Sequence, residues 1–115
     1  MTEDNPQAAG APELVIAVYR PKAGQEAALR ALALAHWPLL RRVGLVSDRA
    51  PIVMQAQDGA IVDIFEWTSA KAAEAAHHQP EVAAHWEAMS EVADFANLAS
   101  LAEAQATFPH FRSLS

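Results

Sequence analysis

The apolar positions of this chain recur with two different periods, and each period predicts a different element. In Leu14 to Arg20 (LVIAVYR) the period is two. Leu14, Ile16 and Val18 fall on one face, and Val15, Ala17 and Tyr19 on the other. Both sets are largely apolar, so the strand is expected to be covered on both sides and to end at Pro21, which cannot donate to a ladder. Two further runs rich in branched and aromatic side chains, Ile52 to Gln57 and Ala60 to Trp67, flank Asp58-Gly59. That dipeptide accepts the positive φ angles of a two-residue type I′ turn, which predicts an antiparallel hairpin.

From Gly24 to Val43 the steps become three and four. Leu29, Leu32, His36, Leu40 and Val43 form one helical stripe. Pro38 inside it removes a backbone hydrogen bond and predicts a kink or break, and Gly44 is placed to cap the end. Ser69 is a good N-cap for the alanine-rich AKAAEAAHH, while Pro80 marks a restart as a second helical segment. In that segment Val82, Trp86, Met89, Ala93 and Ala96 share a face. Ser100 and Glu103 have capping-box spacing, which predicts a short third helix. Phe108 to Leu114 reads as a last strand, held to an edge by Pro109, and residues 1–12 as a flexible leader.

The order strand, helix, strand, strand, helix, strand predicts an α+β fold, the ferredoxin-like βαββαβ arrangement with a four-stranded antiparallel sheet. Both helices then lie on one face, which leaves the second face bare although it too is apolar. Two sheets closing face to face about a twofold axis would bury it. The expected partner is therefore a second copy of the chain.

At 115 residues and 52% hydrophobic content the chain suits one domain with a modest core. Its formal net charge of -6, with eight Lys and Arg scattered along it, gives no basic footprint for nucleic acid or an anionic membrane. The absence of cysteine removes thiol nucleophiles, disulfides and cysteine-ligated metals together. No secretory pattern or membrane-spanning run is present, and a cytoplasmic location is the default expectation.

Several stretches carry a resemblance. VYRPKAG entering helix one, HWPLLRRVGL at 36 to 45, FEW at 65 to 67, and AHHQP followed by Trp86 are similar to the dimeric α/β barrel superfamily, within it to uncharacterised proteins related to antibiotic biosynthesis monooxygenases. The resemblance spans roughly Leu14 to Leu114. It implies a homodimer with a small-molecule pocket in each subunit and no bound cofactor. Activities across that superfamily include cofactor-free oxygenases, isomerases, haem degradation and none known. The haem-degrading branch needs an asparagine on the first strand, which LVIAVYR lacks.

The candidate site residues are Tyr19, His36, Asp63, Phe65, Trp67, His78 and Trp86. His36, in the apolar stripe beside Pro38, is either a general base facing a pocket or a buried histidine bonded to carbonyls freed by the proline. Asp63 shares a face of its strand with Ile61, Phe65 and Trp67, and Glu66 the opposite face with Val62 and Ile64. At least one of the two carboxylates is expected to be buried. Tyr19, assigned to the barrel interior, is the natural partner of Asp63; the alternative is a structural pair with Arg20, Arg41 or Arg42. His77, His78 and His85 match no metal-ligand pattern, and one of His78 and His85 could enter the pocket. The aromatic residues and Met89 are core or pocket wall, and Arg49 meets either Asp48 or an anionic ligand. No phosphate loop, nucleophile elbow or HExxH motif is present.

Two classes of function follow. One is a cofactor-independent enzyme, an oxygenase or an isomerase, that removes a proton from a small apolar or aromatic compound. The other is a dimer that binds such a compound without turning it over.

Overall fold

The computed structural model describes residues 10–115, so the leader expected over residues 1–12 falls almost wholly outside the described residues. The strands β1 (Glu13–Pro21), β2 (Ile52–Gln55), β3 (Ile61–Trp67), β4 (Ala93–Ala96) and β5 (Arg112–Ser113) form one antiparallel sheet in the order β4-β1-β3-β2-β5. The helices are α1 (Glu26–Arg42), α2 (Ala70–Ala76) and α3 (Pro80–Val92). The class is α+β as expected, but the sheet has five strands, not the four of a ferredoxin-like arrangement. Residues 93–96, expected to continue the helical face of Trp86 and Met89, turn extended at Ala93 (φ -151°) and pair with β1. The predicted last strand shrinks to Arg112–Ser113 and pairs with β2 at the opposite edge.

The hairpin forms where Asp58-Gly59 predicts it, with a different turn. Only Gly59 has a positive φ, 96°, whereas type I′ needs two such residues. The Gly59 N–H donates to the Ala56 carbonyl at 3.0 Å and the Ala56 N–H to the Ala60 carbonyl at 2.8 Å. Three residues therefore close the loop, with the glycine absorbing the left-handed step. Asp58 also accepts from the Ala60 N–H at 3.0 Å and pairs with Arg20.

Helix α1 passes through Pro38 without a break. The carbonyl this proline leaves unpaired belongs to Leu34, on the exposed side of the helix, where water can satisfy it. Beyond Arg42, the Leu45 N–H bonds to the Leu40 carbonyl (3.0 Å) and the Gly44 N–H to the Arg41 carbonyl (3.1 Å), with Gly44 at φ 79°. This is a Schellman ending. The Ser69 hydroxyl accepts from the Ala72 N–H at 3.1 Å, and Pro80 opens α3, as their types predict. The third helix is replaced by two 3-10 turns, Leu98–Ser100 and Ala102–Gln105. Glu103 reaches the Gln57 N–H at 2.7 Å instead of closing a capping box.

All three helices pack on one face of the sheet. Leu29, Ala33 and Met89 meet Tyr19, Val53 and Ile61, while Leu40, Ala72 and Val82 meet Phe65 and Trp67. Tyr19 thus faces the helices and not the barrel interior assigned to it. The second face is not bare: the segment after β4 crosses it and seats the fully buried Leu101 against Val18 and Val62. Beyond that cover Leu14, Ile16 and Ile52 remain 62%, 47% and 55% exposed. Among the described residues no helix is long and apolar enough to cross a membrane.

Candidate functional site

Period two sets Tyr19 on β1 and Asp63 on β3 toward the helices, and the register places Ala17 opposite Asp63, two residues from Tyr19. The helical stripe brings His36 down onto the same spot. Asp63 is 1% and His36 2% exposed. One carboxylate oxygen, Asp63 Oδ2, accepts from the Tyr19 hydroxyl at 2.9 Å and lies 3.0 Å from His36 Nδ1. The Trp86 indole N–H, from α3, donates to His36 Nε2 at 2.9 Å.

These contacts assign the imidazole. An indole nitrogen can only donate, so Nε2 carries the lone pair and the proton sits on Nδ1, directed at Asp63. His36 is therefore neutral, and its ring is held from both ends. The proline-freed carbonyls expected as its partners are not used. Tyr19 remains a phenol: burial pushes its pKa up, and the Asp63 charge and hydrogen bond add to the effect. Tyr19 is a donor here, not a base. Asp63 Oδ1 is buried without a hydrogen-bond partner, and Arg20, Arg41 and Arg42 are engaged elsewhere, with Asp58, the Val46 carbonyl and Glu81.

In front of this network lies a cavity of about 240 Å³, walled by Tyr19, His36, Phe65, Trp67, Trp86 and Phe95, with Met89 behind. Of the residues singled out from the sequence, Tyr19, His36, Phe65, Trp67 and Trp86 line it. Asp63 sits one side chain behind, bonded to two of the wall residues. His78 is exposed at the end of α2 and does not line the cavity. His85 does not line it either, but stacks on His36 with centroids 5.6 Å apart and donates Nε2–H to the Leu32 carbonyl at 2.9 Å. Burial lowers the His85 pKa, and the bond to Leu32 opposes it. Phe95 was missed because a lone aromatic in a four-residue strand leaves no periodic signal.

The other carboxylate, Glu66, is structural. It accepts from the Ser47 hydroxyl at 2.7 Å and pairs with Arg49 at 3.2 Å, and these contacts, the Ser47 bond foremost, lower its pKa. Arg49 therefore meets Glu66, and not Asp48. A larger cavity of about 450 Å³ lies between the hairpin end and the C-terminal segment, beside Glu103, His110 and Arg112. Its polar side chains are exposed or half-exposed, in contrast to the buried network. Among the described residues no three His, Asp or Glu side chains gather to hold a metal ion.

Comparison of the chain with protein-family models, curated proteins and solved structures finds no match. Function therefore rests on the geometry of this site. An Asp–His pair can act as a general base when the outer imidazole nitrogen is free. In this arrangement that nitrogen is occupied by Trp86.

Proposed function

We propose that the protein binds a small, flat, apolar or aromatic compound in the cavity beneath α1 and α3. In this proposal the protein is a homodimer of the α/β barrel type, whose subunits meet through the second faces of their sheets. One observation carries the binding reading: the Tyr19 hydroxyl and the Trp86 indole, two proton donors at the cavity wall, are already committed to Asp63 and His36. A guest then meets carbon and aromatic rings, and apolar contact supplies its affinity. A dry apolar cavity of about 150 Å³ takes benzene, so this one has room for a larger ring. The test is native mass spectrometry followed by denaturation and identification of released compounds. The expected species is twice the 12.4 kDa chain mass, with one apolar compound per subunit; a protein that neither copurifies with nor takes up aromatic compounds would refute the reading.

A second reading is supported by the Asp63–His36 contact at 3.0 Å. If the Trp86 indole swings away, His36 Nε2 becomes a base beside the bound compound, poised to remove a proton from carbon. The carbanion would react with oxygen or be reprotonated, giving a cofactor-independent oxygenase or an isomerase. Conversion of the bound compound that is lost in His36→Gln while binding persists would establish this reading; unchanged compound, with or without oxygen, would leave binding alone.

A further inference from the structure

We propose that the compound this cavity selects is an organic cation, an ammonium group without N–H bonds carried on an apolar body, with its charge set against the wall formed by Tyr19 and His36. The inference rests on the binding reading above and adds the charge of the guest. Three observations support it.

The first is the charge balance of the buried network. His36 is neutral because Nε2 accepts from Trp86, Tyr19 is a neutral phenol, and among the described residues no Lys or Arg forms an ion pair with Asp63. Two donors converge on one Asp63 oxygen, the pattern of an ionised carboxylate, and the other oxygen has no partner. A net negative charge therefore stands directly behind the wall, in surroundings where water does little to screen it.

The second is the wall. Tyr19 and Phe95 are inclined at 65°, Phe65 and Trp67 at 73° and His36 and Phe65 at 86°. Rings inclined this steeply turn their faces in different directions around the cavity. The negative face of an aromatic ring attracts a cation, most strongly where water is excluded. The third is the committed donors: a carboxylate or phenolate guest would find the Tyr19 and Trp86 protons already given to Asp63 and His36, and would face the Asp63 charge. A fully alkylated ammonium needs no hydrogen bond and is matched on both counts.

The test uses the full chain and isosteric guests, phenyltrimethylammonium against tert-butylbenzene, with benzoate as the anion, followed by tryptophan fluorescence and calorimetry. The cation should bind about tenfold more tightly than its neutral isostere, and benzoate should not compete. Asp63→Asn should bring the cation to parity while leaving tert-butylbenzene unchanged. Should that variant fail to fold, Phe95→Leu, at a half-exposed position, keeps the apolar wall but removes a ring face, and should weaken the cation more than the hydrocarbon. Equal or tighter binding of tert-butylbenzene by the unaltered protein would overturn the charge preference and leave the apolar cavity standing. Binding of none of the three would overturn both.

Discussion

The Trp86 indole N–H points at Nε2 of His36 across 2.9 Å, joining residues from two helices into a chain that ends on the Asp63 carboxylate. The bond determines which imidazole nitrogen carries the proton. In Trp86→Phe the ring still fills the wall but the donor is gone, leaving a buried acceptor unpaired at a cost of about 1–3 kcal/mol. Urea denaturation should show that loss. Nitrogen NMR of the imidazoles should show His36 protonated at Nδ1 alone in the unaltered protein; protonation at Nε2 alone would refute the tautomer, and protonation at both nitrogens would refute the neutral state of the ring.

Tyr19 is the single tyrosine in the chain, so phenolate absorbance reports on it alone. Its pKa in the folded protein is raised above the ordinary 10.0, first by burial and then by Asp63. The folded state therefore holds this proton more tightly than the unfolded chain does. The stabilisation is fully present below pH 10 and is lost as the pH rises above it, at about 1.4 kcal/mol per pH unit from this group. Phenolate absorbance should appear only with unfolding, and Tyr19→Phe should flatten the alkaline decline. Titration of the folded protein near pH 10 would contradict the buried bond.

Much of this arrangement was legible in the chain. Period two sets Tyr19 and Asp63 on faces that can meet, and the helical stripe marks His36 as buried. Ser69, Pro80 and Gly44 act as their types predict. The Trp86–His36 bond was not legible, because it depends on how α1 and α3 are rotated against each other, and no local pattern encodes that angle. The residues after Val92 misled for a related reason. Ala93 and Ala96 fit a helical stripe as well as a strand, and the free edge of β1 decided between them. The cover of the second sheet face by Leu101 is likewise a tertiary choice, made by a segment with weak local preference.

His85 should affect stability at the acid end. Its pKa is lowered from 6.5, chiefly by burial, against the raising effect of the Leu32 carbonyl. The unfolded chain therefore takes up this proton more readily than the folded protein. The contribution is present above pH 6.5 and is lost as the pH falls through the lower folded value. Proton NMR should give the His85 ring a midpoint below 6.5, and His85→Gln, which keeps a donor for Leu32 but cannot titrate, should soften the acid decline. A midpoint at or above 6.5 would show that burial does not dominate.

The open part of the second sheet face gives the sharpest test of assembly. Leu14, Ile16 and Ile52 lie beyond the cover provided by Leu101, with Ile16 and Ile52 both opposite Ile64 on β3. In a lone subunit a lysine at position 16 would stand in water and change stability by no more than about 0.5 kcal/mol. In a dimer closed through this face, the same lysine would be buried opposite its own copy, where an unpaired charge is costly. Sedimentation should therefore show the unaltered chain as a dimer and Ile16→Lys as a folded monomer with unchanged circular dichroism. A dimer that survives the substitution would place its interface elsewhere, and an unaltered chain that sediments as a monomer would show that this face needs no partner.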